Sequence, residues 1–158
     1  MRVGIGYDAH RLAIGRPLIL GGVEIPFDKG LEGWSDADVL SHAIMDSLLG
    51  AAGLRDIGYH FPPNDPAYKD ISSIILLNRV ADLLKSRGWR IGNIDATIVA
   101  ERPLLRPFIS PIKQTLARAL SIGETQVGVK ATTNEGMGFV GREDGIAAYS
   151  VALLEKAR

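Results

Sequence analysis

The sequence predicts a single α+β domain, with a mixed sheet and helices packed on one of its sides. Three observations support this class. Strand-type and helix-type segments follow one another irregularly, unlike the strict alternation of a doubly wound parallel sheet. The 158 residues suffice to bury a real core and match the size of one domain. No repeat, low-complexity tract or long linker divides the chain, so 1–158 reads as one unit.

At the N-terminus, Val3, Ile5 and Tyr7 alternate with Gly4, Gly6 and Asp8, which makes Met1 to Asp8 a strand with His10 beyond it on the Asp8 side. Pro17 to Leu20 and Val23 to Ile25 flank Gly21-Gly22, a two-residue hairpin signal. Ser35 is a natural N-cap, and Asp36 and Asp38 suit the positive end of the helix that follows. Leu40, Ile44, Leu48 and Ala51 recur at helical spacing, and Gly53 can stop that helix.

Asp56 to Asp65, with Pro62-Pro63 and then Pro66, reads as an irregular loop. A second helix is expected from about Ile71 to Ser86, stopped by Gly88, and a strand from Ile94 to Ala100. Arg102 to Pro107 reads as a loop, Ser110 to Leu120 as a third helix and Val127 to Ala131 as a strand. Thr132 to Asp144 is a glycine-rich loop. Gly145 to Leu154 suits a buried strand or a helix, and its small and β-branched residues favour the strand.

Composition removes several functions. Eighteen basic and eighteen acidic residues balance to zero, which leaves no electrostatic case for nucleic-acid binding. Without cysteine there is neither a disulfide framework nor a thiolate metal site. The N-terminus lacks a signal peptide's basic-then-apolar pattern, and no apolar run approaches the roughly 18 residues of a membrane span. The expectation is a cytoplasmic protein with no membrane partner.

Two constellations carry chemistry. Asp8 and His10 share one face of a strand, and His42 lies on the following helix, so an Asp/His/His set can form. Three protein ligands leave a fourth tetrahedral position open, as in a catalytic rather than a structural zinc site. Two of the three histidines of the chain fall in this set, although an isolated D-x-H pattern also occurs as ordinary surface and core residues. Asp38, His42 and Asp46 are spaced four apart on one helix face, so the aspartates read either as partners orienting the imidazole or as a solvated face.

The second constellation is Lys130 to Arg142, with Thr132, Thr133, Glu135, three glycines and Arg142. Amides and hydroxyls of such a loop can cradle phosphate oxygens, Glu135 can hold a hard divalent cation bridging them, and Arg142 can add a bidentate contact. A solvated turn accounts for the same residues. Asp56 to Gly58 and Phe61 to Asp65 offer carboxylates and amides to a polyol, or form a plain surface loop.

The motifs occur in a definite order: G-x-G-x-D-x-H-R at Gly4 to Arg11, GGVEIP at Gly21 to Pro26 and SDADVLxHAxxDxLLGAAGL at Ser35 to Leu54. DIG at Asp56 to Gly58, Phe61-Pro62, AERP at Ala100 to Pro103 and KATTxExxGFxGRxxGIA at Lys130 to Ala147 complete the series. Together they resemble the 2-C-methyl-D-erythritol 2,4-cyclodiphosphate synthase family of the non-mevalonate isoprenoid pathway, over nearly the whole chain. The resemblance implies a homotrimer with active sites between subunits. The reaction it implies is cyclisation of 4-diphosphocytidyl-2-C-methyl-D-erythritol 2-phosphate with release of CMP.

By the same resemblance Asp8, His10 and His42 hold Zn²⁺, and Glu135 holds Mg²⁺ or Mn²⁺ on the diphosphate. Thr133, Ser35 and Trp34 take the catalytic positions, and Thr132 helps hold the nucleotide. The cytidine pocket falls on Ala100 to Arg106, with Leu104, Leu105 and Arg106 among its residues, and the methylerythritol on Asp56, Ile57, Gly58, Phe61 and Asp65. Phe139 and Arg142 match positions around a central cavity that takes isoprenoid diphosphates in the family.

Three residues depart from the family pattern: Trp34 stands where a histidine is usual, Leu104 where a lysine is common, and Pro63 where an aspartate is common. An indole donates one hydrogen bond and carries no charge, so Trp34 cannot supply a charged contact. Ser35 can still act through its hydroxyl or a helix N-terminus. Two other functions remain beside the synthase: a trimeric isoprenoid-diphosphate-binding protein with weak or altered catalysis, and a zinc phosphohydrolase releasing linear products.

Overall fold

The computed structural model describes residues 1–157. In chain order it contains β1 (Arg2–Ile14), β2 (Leu18–Leu20), β3 (Val23–Ile25), β4 (Lys29–Leu31), α1 (Val39–Ala52) and the short α2 (Ile57–His60). There follow α3 (Ser73–Ser86), β5 (Trp89–Val99), α4 (Ile109–Leu120), β6 (Val127–Thr132), the single turn α5 (Gly138–Gly141) and β7 (Gly145–Lys156). Three 3₁₀ turns, Pro66–Tyr68, Arg106–Phe108 and Glu124–Gln126, join them.

Five strands form one sheet in the order β4-β1-β7-β5-β6, antiparallel except for the parallel β5–β6 pair. The sheet is therefore mixed, as expected, and β2–β3 form a separate hairpin. Helix α1 packs across β1, β7 and β5, with α3 and α4 beside it, so the helices cover one face. Leu40, Ile44, Leu48 and Leu49 of α1 meet Leu77, Ile94, Ile98 and Ile146 in the core. The opposite face leaves Val3, Ile5, Tyr7, Tyr149 and Val151 exposed. No helix among the described residues is long and apolar enough to cross a membrane.

Two glycines of β1 allow α1 to lie unusually close. A Cβ on Gly6 would fall 1.9 Å from the carbonyl oxygen of Ala43, and one on Gly4 would fall 2.1 Å from that of Ser47. The strand and helix backbones are nearly touching there, which no side chain could accommodate.

Several expected boundaries move. β1 continues to Ile14 instead of ending at Asp8, because β7 pairs with it as far as Arg11 and β4 takes over from Leu12 to Ile14. β5 begins at Trp89 rather than Ile94, drawn out by pairing with the end of β7 across a bulge between Ile91 and Asn93. Gly145 onward is a strand, as favoured. Two stretches expected to be wholly irregular contain the one-turn helices α2 and α5.

Helix α1 starts at Val39, and its N-cap is Asp38 rather than Ser35. Ala37 adopts a left-handed φ of 56°, which keeps the helix from beginning earlier. The fully buried Asp38 carboxylate accepts from the Gly21 and Gly22 amides (2.9 and 2.8 Å) and from the Ser41 amide and hydroxyl (3.0 and 2.7 Å). It thus ties the β2–β3 turn to the head of α1. Asp38→Ala would leave these donors without a partner, with an expected loss of about 3 kcal/mol in urea unfolding.

Candidate metal centre

Asp8 and His10 project from one face of β1, on the same side as Gly4 and Gly6. His42 reaches them from α1, where the glycine contact brings the helix down. Asp8 Oδ2 lies 2.7 Å from His10 Nε2 and 3.0 Å from His42 Nδ1, and the two imidazole nitrogens are 3.1 Å apart. These residues are the one cluster of three or more His, Asp or Glu found among the described residues with converging ligand atoms.

Each imidazole is oriented from behind. His10 Nδ1 donates to the Glu32 carbonyl at 2.6 Å, which directs Nε2 at the cluster. His42 Nε2 faces Ser73 Oγ at 2.9 Å and Ser35 Oγ at 3.2 Å. The Ser73 hydroxyl donates to Asp36, so it accepts from His42 Nε2–H and leaves the Nδ1 lone pair for the cluster. One carboxylate and two neutral imidazoles meeting at a point suit a borderline-soft divalent cation such as Zn²⁺.

Of the two readings of Asp38 and Asp46, neither describes Asp38, which is fully buried and whose carboxylate does not bond the His42 imidazole, and Asp46 does not orient the imidazole. Asp38 is spent on the α1 cap, and Asp46 accepts the Ile57 amide at 2.8 Å. Asp36, acting through Ser73, holds the imidazole instead. Thirty-seven residues separate that pair, and no local pattern announces it. The idea that Ser35 works at a helix N-terminus is corrected too, since its buried hydroxyl turns to His42 and to the Ala37 amide. The third histidine, His60, bonds the Leu54 carbonyl and stays apart from the cluster.

Charge follows geometry. Burial alone would raise the Asp8 carboxyl, but hydrogen bonds and charge from His10 and His42 outweigh it and hold the group at about 2. Burial alone would lower His10, but the bond and charge of Asp8 prevail and raise it above 6.5. Asp8 is thus ionised throughout the neutral range, whereas His10 must shed a proton to become a ligand. Zinc uptake is expected to release the proton that His10 carries below its raised pKa, and to weaken as pH falls through that pKa. Calorimetry in buffers of different ionisation heat reads this directly.

The cluster forms the floor of a cleft of about 240 Å³ whose walls include Trp34, Ser35, Ile57, Gly58, Phe61, Pro63 and Tyr68. Trp34 Nε1 donates to the Asp65 carbonyl at 2.8 Å, so the single donor of the indole is already engaged. A second cleft, about 390 Å³, opens where parallel β5 and β6 end side by side. Ala100, Leu104, Leu105, Arg106, Thr132 and Thr133 line it.

Phe139 and Arg142 line a third cleft with His10, and Arg142 pairs with Asp144 at 3.0 Å. Asp56, Asp65 and Glu135 line none of the three. The Asp56 carboxylate caps α2 and that of Asp65 caps the following 3₁₀ turn, while Glu135 stands exposed at a left-handed φ of 54°. Sequence reasoning missed Asp36, Ser73 and Tyr68 as contributors to these sites, and it placed Glu101 in the nucleotide segment without its bonds to the Asn134 and Gly136 amides.

A mixed sheet covered on one face by helices, with an Asp/His/His cluster at the floor of a cleft, defines a metal-binding α+β domain. The chain belongs to the YgbB family, whose model matches residues 1–155. It is 60% identical over 156 residues to the 2-C-methyl-D-erythritol 2,4-cyclodiphosphate synthase of Dehalococcoides mccartyi strain CBDB1, covering 99% of each chain. Among solved structures it matches the bifunctional IspDF from Campylobacter jejuni with a TM-score of 0.95 and 39% identity, over 98% of this chain and 42% of that longer one. It also matches a CDP complex of IspF from Plasmodium falciparum with a TM-score of 0.87 and 33% identity, over 99% of this chain and 97% of that one.

Proposed function

We propose that this chain cyclises 4-diphosphocytidyl-2-C-methyl-D-erythritol 2-phosphate to 2-C-methyl-D-erythritol 2,4-cyclodiphosphate, with release of CMP. The convergence of Asp8, His10 and His42 in a cleft carries the reading, supported by 60% identity to a synthase along the full chain. Asp8, His10 and His42 would hold Zn²⁺, which when bound supplies Lewis-acid polarisation of a phosphate oxygen. Glu135 would hold Mg²⁺ or Mn²⁺, a hard cation that suits a carboxylate oxygen and would supply charge neutralisation at the diphosphate.

The substrate's own 2-phosphate is the nucleophile, so the protein supplies positioning and electrostatics rather than a nucleophile of its own. Tethered attack in good geometry can remove about 7–11 kcal/mol of barrier. Thr133 would steady charge developing at phosphorus, and Thr132 would hold the nucleotide. Ser35 keeps His42 in register, and Trp34 acts as a wall that fixes the Asp65 backbone. Ala100, Leu104, Leu105 and Arg106 would receive the cytidine; Asp56, Ile57, Gly58, Phe61 and Asp65 would receive the methylerythritol.

A homotrimer completes this proposal. Within one chain the metal cleft and the nucleotide cleft are lined by separate sets of residues, which suits a site shared between subunits. The exposed apolar row Val3, Ile5 and Tyr7 beside Tyr149 and Val151 offers the surface for such packing. Phe139 and Arg142 would face the central axis and an isoprenoid diphosphate there. A cytoplasmic setting belongs to the same proposal. The synthase name carried by the full-length relatives disfavours an isoprenoid-binding protein as the main function.

Phosphorus NMR of the purified protein with substrate, Zn²⁺ and Mg²⁺ tests the reading. Cyclic diphosphate with stoichiometric CMP is expected. A linear bisphosphate would point to a phosphohydrolase, and unchanged substrate with zinc-loaded protein would overturn the assignment.

A further inference from the structure

The parallel ends of β5 and β6 deliver two loops side by side, joined first by the Ala100 amide donating to the Thr132 carbonyl at 3.0 Å. The next residue, Glu101, makes a stronger link. Its half-buried side chain reaches across, and Oε1 accepts the Asn134 amide at 2.7 Å and the Gly136 amide at 3.3 Å. Between these two amides sits Glu135, whose own amide donates to Thr133 Oγ1 at 3.3 Å.

The turn so held is a conformation the chain would otherwise avoid. Glu135 and Gly136 are consecutively left-handed, with φ of 54° and 75°. Glycine takes such angles freely, but a glutamate held there costs free energy that neighbouring contacts must offset. Two amides converging on one carboxylate oxygen are charge-assisted bonds, roughly twice as strong as neutral ones. Local bonds between Asn134 and Met137 close the same turn on its far side.

We infer that Glu101 is the positioning residue of the second metal site: its carboxylate clamps the Asn134 and Gly136 amides and thereby presents Glu135 to the cation and Thr133 to the phosphates. The inference rests on the proposed role of Glu135. It concerns the shape of the turn, so it can be read without turnover. Glu101 works through hydrogen-bond geometry and not as a ligand, which distinguishes it from Glu135 itself.

The test compares Glu101→Ala and Glu101→Gln with the unaltered protein. One readout is amide hydrogen exchange at Asn134 and Gly136; the other is Mn²⁺ affinity in the presence of CDP, followed by electron paramagnetic resonance. Glu101→Ala is expected to speed exchange at both amides and weaken Mn²⁺ about tenfold, the range for loss of a residue orienting a ligand. Glu101→Gln retains the acceptor oxygen and is expected to recover Mn²⁺ affinity to within about threefold. Zinc content, set by the separate Asp8 cluster, should be the same in all three, which also reports that the variants are folded.

Unaltered protection and Mn²⁺ affinity in Glu101→Ala would overturn the inference. So would a Glu101→Gln variant as impaired as Glu101→Ala, since that would make the charge rather than the geometry decisive. If the unaltered protein yields no cyclic product, the proposed function fails, yet the exchange data still decide whether Glu101 shapes the turn.

Discussion

His42→Ala is expected to abolish stoichiometric zinc binding and to reduce cyclisation about a thousandfold. The magnitude follows from the several kcal/mol that Lewis-acid stabilisation of a phosphoryl transition state supplies, with each 1.36 kcal/mol worth about a factor of ten. Two ligands, Asp8 and His10, would remain on β1, too few for a tight site. Zinc content by metal analysis and CMP release by chromatography check the two halves together. Full zinc occupancy in the variant would remove the Asp8/His10/His42 assignment. A subtler comparison is Ser73→Ala, which leaves the ligands intact but removes the nearer of the two hydroxyls on His42 Nε2 and its link to Asp36, with Ser35 remaining. It is expected to weaken zinc by about tenfold.

Gly6→Ala is expected to destabilise the protein by about 3 kcal/mol and to loosen zinc at the same time. The added methyl would lie 1.9 Å from the Ala43 carbonyl, and backbone on both sides prevents relief by rotamer change. Helix α1 must move off β1, carrying His42, the neighbour of Ala43, away from Asp8 and His10. Gly50→Ala on the same helix provides the contrast. Its new Cβ would meet nothing nearer than the Ile5 carbonyl at 3.9 Å, so helix propensity alone applies and a gain of roughly 0.5–1 kcal/mol is expected. Thermal unfolding of the two variants, with and without zinc, separates overpacking from helix propensity. Equal behaviour would mean that the closeness of β1 and α1 does not hold the metal centre together.

The legible parts of this protein were those in which neighbouring residues carry the signal. Strand alternation from Val3 to Asp8 set the side on which Asp8 and His10 emerge, and helical spacing from Leu40 to Ala51 put His42 on a core-facing helix. Gly21-Gly22 announced a hairpin, and both residues adopt the left-handed angles that such a turn requires. The loop after β6, Lys130 to Arg142, offered a phosphate cradle or a solvated turn, because hydroxyls, glycines and a carboxylate crowd a short stretch. Resemblance across many ordered motifs then turned a weak D-x-H pattern into a specific family expectation, which the family match bears out.

Local patterning thus determined the class of fold and most of its elements, and the ordered motifs, through the resemblance they carry, singled out Asp8, His10 and His42 as one set. Tertiary structure decided the rest, because the remaining choices depend on partners far along the chain. β1 runs to Ile14 only because β7 and β4 are there to pair with it. Asp38 becomes a cap because the Gly21 and Gly22 amides arrive beside Ser41, which leaves Ser35 free to face His42. Asp36 orients His42 through Ser73, and Glu101 grips the Glu135 turn, across 37 and 33–35 residues respectively. A hydrogen bond of that span leaves no periodicity behind it; only the packing of α1 on β1, and of β5 against β6, brings its two ends within reach.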